Sequence, residues 1–401
     1  MNAHAVLTEV VLDVTFSLEY EQFRQEVRTF IAEHWSSKDA QDRDAAAFRR
    51  RGIERGYLYR GIPRQFGGSE QPRDPIKAYI IQREYARSNA PGEISGGGPS
   101  HLTPTLLAEG EEWQKEMFIP KTLTGEYVWC QGYSEPGAGS DLAGISTRAT
   151  LEGDEWAIEG QKVWTSNAHR ATHMYALVRT EPNAPKHEGI SYLLLRMDQP
   201  GIVVRPLKQI TGEATFNEVF FAGARTPKDW IVGKRGQGWA VSRTLLAFER
   251  NHVGAAEASE DLFDKLLRLA KAASINGLPA LQDPLIRDEL IKIQCMISAH
   301  RLSGLRQLAM DAAGATEHLA VGSFNKLYGS IIAERIARAA QKLMNDHAIA
   351  QPVEGGGRSR WVRQYMNSIA AQLGGGTSNI HRNIIAERRL GLPREAAGVE
   401  H

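Results

Sequence analysis

Apolar side chains along the chain keep a helical rhythm at first, alternate from about position 127, and return to a helical rhythm after position 238. Phe23, Val27, Phe30 and Ile31 recur at helical spacing behind Ser17, which suits an N-cap. Asp74-Pro75 is a sharper start, a capping carboxylate followed by proline at the first helical position, with Ile76, Tyr79 and Ile80 as the stripe. Residues 113–123 predict a further short helix, closed by Gly125.

The segments that begin at Tyr127, Glu155, His173, Ile190, Gly201 and Asn217 carry β-branched and aromatic residues between turn signals, as strands do. They follow one another too closely for helices to fit between. That favours an antiparallel barrel or sandwich over alternating strand–helix units. Beyond Gly233-Lys-Arg-Gly-Gln-Gly238, which reads as a connecting turn, the texture is helical throughout. Asp283-Pro284 repeats the cap-plus-proline start, and Phe324, Leu327, Tyr328, Ile331, Ala339, Leu343 and Met344 stripe one long helix. Long amphipathic helices with short connections predict a bundle. The expected fold is therefore α+β and multidomain: a helical domain over 1–125, an antiparallel β domain, barrel or sandwich, over 126–235, and a C-terminal helical bundle over 236–401.

Composition narrows the function classes. A formal charge of +1 gives no bulk field for nucleic acid or an anionic membrane. Cys130 and Cys295, the only two cysteines, make neither a disulfide framework nor a zinc motif, and a reducing, cytoplasmic setting is expected. Positions 1–15 hold no Lys or Arg and do not read as a leader, and no apolar run has the length of a membrane span. Three glycine triplets, at 96–98, 355–357 and 374–376, are too scattered for low complexity.

Four places carry candidate chemistry, each with a plain structural alternative. Glu135-Pro-Gly-Ala-Gly-Ser-Asp141 brings glycine backbone and the Ser140 hydroxyl within reach of a ligand, or is a simple turn. Trp164-Thr165-Ser166 sets an indole beside two hydroxyls, as an isoalloxazine ring needs, or is a half-buried Trp in a sheet. Gly374-Gly-Gly-Thr377 runs into a helix start suited to a phosphate, or is an ordinary N-cap. Glu249, among Leu245, Leu246 and Val253, is a desolvated base or half of a structural ion pair. His169 and His173 are four apart in a β-like region, which disfavours a zinc pair; no metal is expected.

These pieces occur together, and in this order, in the acyl-CoA dehydrogenase family, which the chain resembles over positions 16–394. The resemblance rests on Trp129-Cys-Gln-Gly-Tyr-Ser-Glu-Pro-Gly-Ala-Gly-Ser-Asp-Leu142, Gly160-Gln-Lys-Val-Trp-Thr-Ser166 and Gly376-Thr-Ser-Asn-Ile-His-Arg-Asn-Ile-Ile-Ala-Glu-Arg388. Pro63-Arg-Gln-Phe-Gly-Gly68 and Gln114-Lys-Glu-Met-Phe-Ile-Pro120 match weaker signatures. The chain is most similar to the bacterial branch of pimeloyl-CoA-type and sterol-side-chain dehydrogenases. The resemblance implies that the β domain is an antiparallel barrel and the C-terminal domain a four-helix bundle. The resemblance implies FAD, with Gln131, Tyr133, Ser134, Gly139 and Ser140 along the flavin pyrimidine, Trp164 and Thr165 by the ring, and Ser166 at N5. It further implies Gln294 as a flavin contact and Gly376, Thr377 and Asn379 on the adenosine diphosphate. Ser140 would also meet the pantetheine arm and Arg250 the CoA end.

Two positions depart from the common pattern. Gly375 stands where many members carry the catalytic glutamate, and Glu249 stands at the base position used by a minority. The Arg-x-x-Phe-Gly element that often grips the flavin diphosphate from a neighbouring subunit is missing from Leu281-Gln-Asp-Pro-Leu-Ile-Arg287. The implied reaction is removal of the α-proton of an acyl-CoA by Glu249 as a hydride leaves Cβ for flavin N5. An electron-transferring flavoprotein would take the electrons, and a homotetramer or an α2β2 assembly is the implied state. An acyl-CoA oxidase, other flavin chemistry on this scaffold, and a non-catalytic subunit that completes a neighbour's site stay open.

Overall fold

The structure, a computed structural model, describes residues 17–35, 44–252, 256–314, 318–345 and 359–393. Positions 1–15, read above for a leader, and the triplet at 355–357 lie outside these, as do the side chains of Glu249 and Arg250. The chain divides into two units, 1–93 and 94–401.

The first unit holds α1 (Leu18–His34), α2 (Ala45–Glu54) and α3 (Pro75–Arg87). Ser17 occupies the N-cap of α1 without a side-chain cap bond, whereas Asp74 caps α3 by accepting from Lys77 N. The expected stripe of α1 buries Val27, Phe30 and Ile31. Phe30 packs on Phe48 and Tyr57 at ring separations of 5.5 and 5.1 Å. A buried Glu84 on α3 accepts two bonds from the Arg28 guanidinium on α1, at 2.8 and 3.0 Å.

The second unit begins with a π-helical turn (Gly98–Leu102), α4 (Thr103–Glu109) and α5 (Glu112–Thr124), which Gly125 ends at φ 80°. The sheet follows: β1 (Trp129–Gly132), β2 (Arg148–Glu152), β3 (Glu155–Ser166), β4 (His173–Arg179), β5 (Ile190–Arg196), β6 (Ile202–Leu207), β7 (Phe216–Pro227) and β8 (Ile231–Val232). The strand order is β6-β7-β3-β2-β4-β5-β8, with β1 also on β4. The expected antiparallel barrel is met in part: most pairings are antiparallel, and no closure is seen among the described strands. β1 and β2 run parallel to β4, because the long 133–147 loop carries the chain back before β2 starts, and the ladder stays open between β6 and β8. The open sheet still curls: Thr226 Oγ1 at the end of β7 donates to Leu194 O on β5, at 2.6 Å. Both faces of β4 and β5 are buried, with Met174, Ala176, Val178, Leu193 and Leu195 in the sheet's core.

Helices complete the chain: α6 (Gly238–His252), α7 (Ala256–Ala272), α8 (Pro284–Ala312), α9 (His318–Met344), α10 (Ser359–Ala370) and α11 (Ser378–Arg388). A short hairpin, β9 (Ser274–Ile275) and β10 (Leu278–Pro279), turns at Asn276-Gly277, both with positive φ. α7, α8, α9 and α10 share one core around Leu266, Ile293, Ile297, Ile332, Ile336 and Leu343. The stripe expected for α9 holds at Ala339, Leu343 and Met344, which are buried, but earlier in the helix Ile332 and Ile336 face inward while Phe324 and Ile331 are exposed. Among the described residues no helix is long and apolar enough to cross a membrane.

Candidate functional site

The loop after β1 is built around a buried ion pair. Glu135 Oε1 meets Lys162 Nζ at 2.7 Å and also accepts from Thr147 N at 3.0 Å. Glu135 Oε2 accepts from Ser146 N and Ser146 Oγ, at 2.6 and 2.8 Å. Burial alone would raise the Glu135 carboxyl, but the ammonium and these donors hold it down, at about 2. Burial also pushes the Lys162 ammonium down to about 8, against the pull of Glu135, so the pair is ionised at neutral pH. Arg179 fixes the far half of the loop by donating to Ala143 O and Ile145 O. Gly132 is needed at the near end, because a Cβ there would lie 2.5 Å from Met174 Sδ.

This frame leaves the middle of the loop open. A Cβ at Gly137 or Gly139 would meet nothing within 4 Å. Ser140 and Gly139 are exposed, and Ser134 and Gln131 are half-buried. Tyr133 turns inward instead, its ring 6.2 Å from Tyr175 and 6.4 Å from Tyr192. Gln131 is held from the same side, accepting from Tyr175 OH at 3.2 Å.

The end of β3 joins this loop through Val163 N, which donates to Ser134 O at 2.9 Å. Pairing with β7 slips between Lys162 and Thr165, and within the bulge Trp164 takes φ +60°. That conformation costs a bulky residue about 1–3 kcal/mol. It leaves the indole 61% exposed, edge-on to Phe216 at 6.1 Å. Ser166 is exposed on the same stretch. Thr165 does not share that face: it is buried, its hydroxyl has no partner among the described residues, and its carbonyl accepts from Asn217 Nδ2.

The third candidate loop precedes α11. Gly375 and Gly376 both have positive φ, and Thr377 caps the helix by accepting from Ile380 N. Lys326 Nζ on α9 donates to Gly376 O at 2.6 Å, and His381 Nε2 lies 3.0 Å from Gly375 O. Asn379 is exposed and accepts from Arg382 through Oδ1.

Glu249 and Arg250 fall on α6. Gly238 starts this helix against β5 so closely that a Cβ would lie 2.4 Å from Ser191 C. One turn and a half later, Thr244 Oγ1 donates to Glu109 Oε1 on α4, at 2.8 Å. Gln294 is exposed on α8. Arg287 Nη1 is bound to Leu281 O and Gln282 O of its own turn, at 3.2 and 3.3 Å.

These groups fit the chemistry of FAD: a flat exposed indole with a hydroxyl beside it, open glycine backbone, and a helix start for a phosphate. Sequence reasoning missed the groups that hold the site, namely the Glu135–Lys162 pair, Arg179, Lys326 and His381. One signal was available, a lysine at an inward position of a strand.

Comparison with known proteins gives three contiguous matches. The profiles of the acyl-CoA dehydrogenase N-terminal, middle and C-terminal domains match residues 17–126, 130–223 and 236–390. Acyl-CoA dehydrogenase IpdE1 of Mycobacterium tuberculosis is 38% identical over 395 residues, covering 95% of this chain and 100% of its own. IpdE1 of Mycolicibacterium smegmatis is 36% identical with the same coverage. Among solved structures, the ChsE4-ChsE5 complex from Mycobacterium tuberculosis superposes with a TM-score of 0.77 at 26% identity, covering 95% of this chain and 100% of that one. The Tcur3481-Tcur3483 steroid ACAD gives 0.79 at 26% identity, covering 96% and 100%.

Proposed function

Because the chain belongs to the acyl-CoA dehydrogenase family, we propose that it is a FAD-dependent enzyme that desaturates an acyl-CoA thioester between Cα and Cβ. The observation that carries this reading is the exposed Trp164, held in a left-handed bulge beside Ser166 and zipped through Val163 to the open 134–140 loop. An indole kept at such a backbone cost, and largely outside the core, has a use as a stacking surface.

Bound FAD would supply the two-electron acceptor for the hydride that leaves Cβ. Around it, the 131–140 loop would receive the pyrimidine edge, Ser166 would donate to the ring, and the 376–379 loop would take the adenosine diphosphate. Glu249 is the proposed base for the α-proton. The two anchors on α6, Gly238 against β5 and Thr244 on Glu109, hold its helix to the sheet and to α4. Ser140 and Arg250 are proposed for the CoA part. The proposed domains are 1–125, 126–235 and 236–401, with a barrel-like middle domain and a four-helix bundle built on α7 to α10.

The proposed assembly is a homotetramer or an α2β2 pairing with a sister chain, and the proposed electron acceptor is an electron-transferring flavoprotein. Similarity to the ChsE4-ChsE5 complex and to a steroid ACAD supports the paired form and points to steroid-derived acyl groups as the first thioesters to try. The test is anaerobic mixing of the purified yellow protein with acyl-CoA thioesters. Bleaching of the flavin band and formation of an enoyl-CoA are expected. A protein that holds FMN, or no flavin even with its sister chain, overturns the reading. Rapid oxygen consumption would make it an oxidase instead.

A further inference from the structure

Lys326 is 3% exposed, and its ammonium pairs with no carboxylate among the described residues. Its only bond there is to Gly376 O. Burial alone acts on it, lowering its affinity for the proton. A buried charge without a counter-charge is costly, and an anion bound nearby would offset that cost. The direction in which this charge acts can be traced through the backbone. The carbonyl it grips belongs to the Gly376–Thr377 peptide, whose N–H is Thr377 N. His381 Nε2 meets Gly375 O, which belongs to the preceding peptide, whose N–H is Gly376 N. A carbonyl accepts only, so the ring must donate from Nε2. Donation to a peptide oxygen polarises that peptide and strengthens its N–H as a donor. Neither amide has an acceptor among the described residues. Gly376 has φ +90°, and a Cβ there would lie 3.0 Å from His381 Nε2, so only glycine allows this grip.

We propose that Lys326 and His381 are positioning residues for the flavin diphosphate: they polarise two successive peptides of the Gly375–Gly376–Thr377 turn so that its amides, at the start of α11, bind a phosphate. This rests on the FAD reading above. It places the anion-binding charge inside the chain itself, where the Arg-x-x-Phe-Gly element is missing and Arg287 is turned onto its own carbonyls.

The experiment compares FAD with riboflavin, which has the ring and ribityl chain but no phosphate, on the flavin-stripped full assembly. Binding is read by flavin fluorescence. Lys326→Met is expected to weaken FAD at least 10-fold while riboflavin binding stays within about twofold. Lys326→Arg should restore most of the loss. His381→Leu should weaken FAD several-fold with the same indifference to riboflavin. FAD affinity unchanged in the variants, or equal losses for both ligands, overturns the proposal. Should Lys326→Met fail to fold, His381→Leu and Lys326→Arg decide it by the same comparison. Wild-type protein that binds no FAD would instead remove the functional reading on which this rests.

Discussion

Glu135 and Lys162 sit 27 positions apart and meet in the core, where burial penalises both charges and their attraction offsets that cost. Intact buried pairs are often close to neutral in net stability, while removing one member is expensive. Glu135→Gln should cost about 3–5 kcal/mol in urea unfolding, because the buried ammonium loses its counter-charge and keeps only neutral acceptors, Tyr133 O among them. Lys162→Met should cost less, since the carboxylate retains Ser146 and Thr147. The acid limb follows from the lowered carboxyl. Its contribution is complete above the usual carboxyl value of 4.5 and is lost as pH falls through about 2. Acid titration of Glu135→Gln should show a flatter limb in that window; an unchanged limb would contradict this. Glu249→Gln tests chemistry rather than stability. It should keep FAD and fold, yet slow flavin bleaching by acyl-CoA about 10²–10⁴-fold in stopped flow. Bleaching within a few-fold of wild type would return Glu249 to an ion-pair role.

At the scale of elements, the contact between α6 and β5 has no slack. A Cβ on Gly238 would strike Ser191 C and Tyr192 N, backbone atoms that cannot swing aside. Gly238→Val should lower stability by about 1–3 kcal/mol. Because α6 carries Glu249, the proposed base, kcat should fall while flavin content stays full; a variant with normal kcat would show that α6 tolerates the shift. Elements announced by local chemistry were legible in the sequence: Asp74-Pro75, Asp283-Pro284, Gly125 and Thr377 all mark real ends. β2 escaped because Ala149 is its only buried position, which leaves no alternation to read. The hairpin at Asn276-Gly277 escaped although its dipeptide is a strong turn signal. On α9 the apolar residues surround much of the helix, so the pattern did not single out Ile332 and Ile336 over Phe324 and Ile331. The loops proposed to face the ligand were readable as motifs. The bonds that brace them join residues far apart in the chain, as Lys326 and Gly376 do across 50 positions, and such pairings leave no local mark.

At the scale of the whole molecule, α8 keeps apolar surface that the described residues leave exposed. Ile291, 62% exposed, and Leu302 lie on one stripe with Cys295 between them, at helical spacings of four and seven. A second copy or a sister chain is the expected cover, so Ile291→Asp should shift light scattering towards a smaller species. The two cysteines make that assembly measurable without any added label site. Cys130 is buried, and burial pushes its thiol far above the usual range, so it should ignore a maleimide in the native state. Cys295 is open in the single chain. One reactive thiol per chain is then a clock: its labelling half-life should lengthen as protein concentration rises and collapse to the free-chain value in Ile291→Asp.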